Sequence, residues 1–115
     1  MPKIEIKATI DNKIFLCKGI KNQNKIIYKD NDISVMIDIS NIVILTRESL
    51  DFKLKLIFDQ NENTKGVYLL KSSNNYLELQ IKTEKLVIEH NSIEIIYTIN
   101  SSEETINFKL EFEEI

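Results

Sequence analysis

The sequence predicts an all-β fold: a single up-and-down antiparallel β-barrel of about eight to ten short strands. Three observations carry this. Apolar and polar residues alternate with period two along most of the 115 residues. Clusters of Asn, Asp, Ser and Lys interrupt the alternation roughly every 8–12 residues, the spacing of sandwiches and barrels. No long segment repeats apolar residues at i, i+3, i+4 and i+7. Short links between consecutive strands favour a meander that closes on itself, because closure removes exposed edges. A β-sandwich is the alternative, and only residues 59–65 offer the long connection that a Greek key needs.

The elements follow in order. Ile4, Ile6, Ala8 and Ile10 alternate with Lys3, Glu5, Lys7 and Thr9, and Asp11 and Asn12 supply the turn. Residues 13–20 are apolar on both parities, with Gly19 marking a bend or bulge. A short strand at 25–28 and a turn at 29–31 precede Ile33, Val35, Ile37 and Ile39, which alternate with Ser34, Met36, Asp38 and Ser40. The strand at 41–48 contains Ile42, Val43, Ile44 and Leu45, apolar on both faces, and ends beside Arg47, the only arginine. Phe52, Leu54, Leu56 and Phe58 face one way on the return strand, while Lys53 and Lys55 face the other.

Beyond the polar loop at 59–65, strands are expected at 67–70, 76–83, 86–89, 93–99 and 106–112. The helical candidates at 46–53 and 101–107 read better as turns. No repeat or linker divides the chain, so residues 1–115 are read as one domain.

Composition restricts function. A net charge of -3 and a pI near 5.2 argue against nucleic acid as a partner, because phosphate binding needs clustered positive charge. The first residues interleave charge with isoleucine, unlike a signal peptide, and no apolar run is long enough to span a membrane. A cytoplasmic protein is expected. Abundant Ile, Lys and Asn with scarce Gly, Pro and Trp match AT-rich codons and suggest a bacterial source. Cys17 is alone, so no internal disulfide forms, and it reads as a small buried hydrophobe.

Catalytic devices are hard to assemble here. His90, the only histidine, falls in a turn, and the zinc-type spacings, phosphate loop and nucleophile elbow are all missing. No catalytic residue, metal or cofactor is assigned, and the chain is not expected to be an enzyme. Glu111 and Glu113 share one strand face and read as a solvated edge that discourages sheet association. Arg47 shares parity with Val43 and Leu45, which suggests a partly buried guanidinium able to hold a carboxylate or phosphate at a barrel mouth. Tyr68, Tyr76 and Tyr97 are strand tyrosines, of which Tyr68 and Tyr97 join Arg47 as candidate ligand-binding residues.

The run Ile42-Val43-Ile44-Leu45-Thr46-Arg47, the Lys- and Phe-rich return strand and Val67-Tyr68 form one part of a wider pattern. The strand opened by Tyr76 and ended by Thr83, Ile93-Glu94-Ile95-Ile96-Tyr97 and Ile106-Asn107-Phe108-Lys109-Leu110 complete it. This pattern resembles the YwiB-like family of small bacterial proteins, strongest from Ile33 onward. That family is described as a calycin-type, lipocalin-like barrel without an established activity, so the resemblance implies a fold and no chemistry. Two positions depart from it: Ser49 replaces a glycine two residues after the arginine, and Asn74-Asn75 replaces a glycine in the later hairpin. The functional expectation is a binding module taking a small, partly apolar ligand into the lumen. The competing expectation is a structural or interaction protein that docks another chain, or a second copy as a homodimer, through an apolar outer face or a sheet edge.

Overall fold

The computed structural model describes residues 2–60 and 62–115. Ten antiparallel strands close into one barrel: β1 (Lys3–Ile10), β2 (Lys13–Asn22), β3 (Lys25–Asp30), β4 (Ile33–Ile39), β5 (Val43–Glu48), β6 (Phe52–Phe58), β7 (Asn63–Leu70), β8 (Asn75–Glu89), β9 (Ser92–Ile99) and β10 (Ile106–Glu114). Each strand pairs with its sequence neighbours, and β1 pairs with β10 from Ile4↔Glu114 to Ile10↔Phe108. The expected up-and-down barrel is therefore found, and the sandwich is not.

Tight turns are made by residues that tolerate left-handed backbone: Asp11, Gln23, Asn31, Asn74 and Asn100 all have φ between 53° and 56°. Asn74 thus does the work of the glycine it replaces. Ser49 solves its turn differently, its Oγ accepting from the backbone N–H groups of Asp51 (3.1 Å) and Phe52 (3.3 Å).

Several boundaries differ from the sequence reading. The segments expected at 76–83 and 86–89 are one strand, β8, with a bulge between Thr83 and Lys85. Gln60 closes the irregularity: its Oε1 accepts from the Leu86 N–H at 2.6 Å, and its Nε2 donates to the Glu84 carbonyl at 3.4 Å. Thr83 is buried there, and its Oγ1 accepts from the Asp59 N–H at 3.2 Å. The loop read as 59–65 is shorter, because β7 begins at Asn63. β3 runs on through Asp30, a residue expected to be in a turn.

Gly19 forms no bulge: the β1–β2 ladder runs through it in register as Ile4↔Gly19, and Gly19↔Tyr28 is the last pair of the β2–β3 ladder. A Cβ at this position would lie 2.6 Å from the Ile27 carbonyl oxygen and 3.1 Å from the Tyr28 Cβ, so glycine is required by close approach. Glu111 and Glu113 do not lie on an edge. β10 is paired on both sides, and both residues sit exposed on the outer wall of a closed sheet.

The inner parity of each strand fills the barrel. Toward the end that holds the β2–β3, β4–β5, β6–β7 and β8–β9 turns, Ile4, Ile26, Ile37, Val43, Phe58, Ile93 and Leu110 are all 0% exposed. That half is a packed core. Among the described residues no helix is long and apolar enough to cross a membrane.

Candidate functional site

The other end of the barrel carries the β1–β2, β3–β4, β5–β6, β7–β8 and β9–β10 turns, and its inner wall is packed differently. Ile10, Phe15, Ile33, Leu54, Leu79, Ile99 and Ile106 face inward there, yet each is only half-buried. One layer deeper, Tyr28, Leu45 and Tyr97 keep 6%, 6% and 7% exposure, while at the opposite end Phe112 keeps 7% and Ile39 and Leu86 are half-buried beside the fully buried residues. The accessible end thus carries more half-buried apolar side chains than the other, which holds most of the fully buried ones.

At the same end β2 and β3 exchange no ladder pairs over part of their length. β2 and β3 pair only from Gly19↔Tyr28 to Asn22↔Lys25, whereas β1 and β2 pair along the whole hairpin from Lys3↔Ile20 to Ile10↔Lys13. Past Gly19 the two strands part, leaving Phe15 and Cys17 on one side and Asp30 on the other. Cys17 is therefore half-buried beside a gap, not sealed in the core as expected. Burial, and secondarily the charge of Asp30, raise its thiol pKa, so it is a poor thiolate.

Arg47 stands on the accessible inner wall, on the parity expected. Its row across the sheet reads Tyr28↔Val35↔Arg47↔Leu54↔Tyr68. Tyr28 and Arg47 are thus two strands apart, about 10 Å at the backbone, with both side chains on the lumen face. The Arg47 Nη2 reaches Asp30 Oδ2 at 3.5 Å, with side chains 23% and 27% exposed. Charge-assisted bonds of this kind usually run about 2.7–2.9 Å, so the pair is loose.

Tyr97 extends from the far wall, and its ring lies against Phe58 with centroids 4.7 Å apart at 59°. Burial pushes the phenols of Tyr28 and Tyr97 up to about 12, and the Arg47 charge partly opposes this at both. Arg47 therefore acts electrostatically on two hydroxyls from different walls. Among the described residues neither hydroxyl has a hydrogen-bond partner, and neither is a buried unsatisfied atom, so both reach accessible space.

Of the residues expected to bind ligand, Arg47 and Tyr97 both face the lumen, and the Arg47 charge acts at the Tyr97 phenol. Tyr68 faces the same lumen nearer the rim, where its ring stacks on Phe52 at 5.7 Å and 14°. Tyr76 is exposed, and His90 lies exposed in the β8–β9 turn. Sequence reasoning missed Tyr28 and Asp30. Their signal is the alternation Ile26-x-Tyr28-x-Asp30, obscured by reading 29–31 as a turn. The rim is tied by Lys71, whose Nζ donates to Glu48 Oε2 and to the Ser49 carbonyl, both at 2.8 Å. That hydrogen bond, followed by the Lys71 charge, holds the Glu48 carboxyl below its ordinary range.

A concavity lies elsewhere, outside the lumen. A groove of about 540 Å³ runs over the outer wall of β10, β1 and β2, between the outward side chains of Glu5, Lys7, Leu16, Lys18, Glu111 and Glu113. Its walls alternate in sign and it holds no convergent polar set. Among the described residues no cluster of His, Cys, Asp and Glu is arranged to hold a metal ion.

No family model matches the sequence, and no curated protein matches it. Among solved structures, the barrel is similar to the crystal structure of YwiB protein from Bacillus subtilis, with a TM-score of 0.67. The similarity covers 98% of this chain and 90% of that one at 18% identity. The chain shares the fold of YwiB. This agrees with the resemblance read from the sequence. At such low identity the likeness to YwiB speaks for the barrel and its strand order, and it assigns no chemistry.

Proposed function

We propose that the protein is a non-enzymatic binding module, a calycin-like barrel that takes a small, partly apolar ligand into the accessible half of its lumen. The observation that carries this reading is the set of half-buried apolar side chains facing inward at the end that holds Arg47. Apolar side chains left half-buried keep hydration that a ligand of matching shape removes. The outer wall supports water on its far side: Glu5, Lys7, Lys53, Lys55, Lys109 and Glu111 face outward, the reverse of a membrane barrel with its apolar belt. The reading takes the protein as cytoplasmic, in keeping with a free thiol.

N-phenyl-1-naphthylamine, a neutral probe that fluoresces in apolar surroundings, tests the lumen directly. Its emission is expected to rise on mixing and to fall back when Leu54→Trp narrows the accessible end. An emission that stays at its level in water removes the reading.

A second reading rests on a different face. Ile20, Ile27 and Met36 are direct cross-strand neighbours on the outer wall of β2, β3 and β4, and Ile14 and Leu16 are exposed on the same side. Such a surface suits docking of another protein chain or of a second copy.

A further inference from the structure

Three polar groups face the accessible lumen, and among the described residues none has a strong partner. Arg47 carries five N–H donors in a fixed fork, but among the described residues its one side-chain acceptor is Asp30 at a long 3.5 Å. The hydroxyls of Tyr28 and Tyr97 come from opposite walls, and among the described residues neither has a hydrogen-bond partner. Asp30 is itself lightly held: its other oxygen accepts from Asn31 Nδ2, again at 3.5 Å. It also sits at the β2–β3 gap, where it can swing away without breaking a ladder bond to β2.

We infer that Arg47, Tyr28 and Tyr97 form a head-group site for a monocarboxylate with a short apolar tail, and that Asp30 occupies the guanidinium as a displaceable internal competitor. The inference rests on the lumen reading above and specifies its ligand. The incoming carboxylate takes the Arg47 fork in a bidentate pair, which the single long contact to Asp30 does not achieve. Its remaining lone pairs accept from the two phenols, so the anion is desolvated into donors already in place. The tail lies against Leu54, Leu79, Ile99 and Ile106, the half-buried wall that would otherwise stay wet.

Charge count favours a monoanion. Arg47 is the cation acting at both phenols, while Asp30 stands beside it and Asp11 raises the Tyr97 phenol from the β1–β2 turn. A phosphate dianion would meet both carboxylates with one positive charge to balance it.

Calorimetric titration of the full chain with octanoate, 1-octanol and octyl phosphate tests the assignment. Octanoate is expected to bind at least about tenfold more tightly than 1-octanol, as charge-assisted hydrogen bonds imply, and more tightly than octyl phosphate. Arg47→Met should erase the advantage of octanoate over 1-octanol. Asp30→Asn should strengthen octanoate severalfold, a gain that a merely structural Asp30 would not give. Both side chains are about one quarter exposed, so both variants are expected to fold.

Equal binding of octanoate and 1-octanol, or an octanoate advantage that survives Arg47→Met, overturns the head-group site and leaves the lumen reading standing. Tighter octyl phosphate overturns the monocarboxylate class. Binding by none of the three overturns the lumen reading itself.

Discussion

At the scale of single residues, burial and one charge govern the site. A tyrosine turned into a barrel normally sends its hydroxyl to a backbone group or to water. Tyr28 and Tyr97 are held neutral chiefly by desolvation, with Arg47 working the other way, so each phenol ionises near 12 in place of about 10. A phenol that ionises near 10 in the unfolded chain and near 12 in the barrel favours the fold up to about pH 10. That contribution disappears as the pH rises through 12. An alkaline titration followed by phenolate absorbance should therefore show a late component near pH 12 from these two residues. Arg47→Met should push that component higher still, because the opposing charge is gone. A late component that ignores the substitution means that Arg47 does not face the two rings.

At the scale of elements, period two made most strands legible, because one face is dry and the other wet. β1, β4, β6 and β10 alternate almost without fault, and their inward residues are those named from the sequence. β8 was not legible as one strand. Its polar break at Glu84 and Lys85 reads as a turn, and only Gln60, reaching in from another part of the chain, makes the bulge tolerable. β3 was cut short for a similar reason. Lys29 and Asp30 look like turn residues by type, but β4 supplies a full ladder as far as Asp30↔Ile33. Half of the candidate site was hidden by that shortening. Arg47 and Tyr97 showed their parity locally, while Tyr28 and Asp30 gained meaning only once β3 was placed beside β4.

The outer surface of β2 to β4 belongs to this scale as well. β2 carries apolar residues on both parities, and the closed barrel buries only one of them. If that face receives a second copy, light scattering after size exclusion should give a mass that rises with concentration in the micromolar range, and Leu16→Lys should return it to the monomer. A single monomeric mass throughout would remove self-association from the second reading.

At the scale of the whole molecule, closure and asymmetry matter together. Closure depends on the first and last strands meeting, a contact that no local pattern announces. It was expected only because a meander of short links leaves edges that need partners. The asymmetry of the lumen could not be read from sequence at all, since both halves draw on the same Ile, Leu and Phe alphabet. It arises from register: the β7–β8 hairpin extends beyond the first pair that β8 makes with β9, Ile81↔Ile99, and β2 leaves β3 past Gly19. These two displacements leave more of the inner wall half-buried at that end. The outer groove near Glu5, Lys18 and Glu113 offers a competing place for a ligand, lined by charged residues together with Ile6, Leu16 and Phe112.

Chemical-shift mapping by heteronuclear NMR with octanoate distinguishes the two places in one experiment. The account predicts perturbations gathered at Phe15, Tyr28, Arg47, Leu54 and Tyr97, with the Arg47 Nε–H among the largest. Perturbations confined to Glu5, Lys18 and Glu113, or an unchanged spectrum at millimolar octanoate, would contradict it.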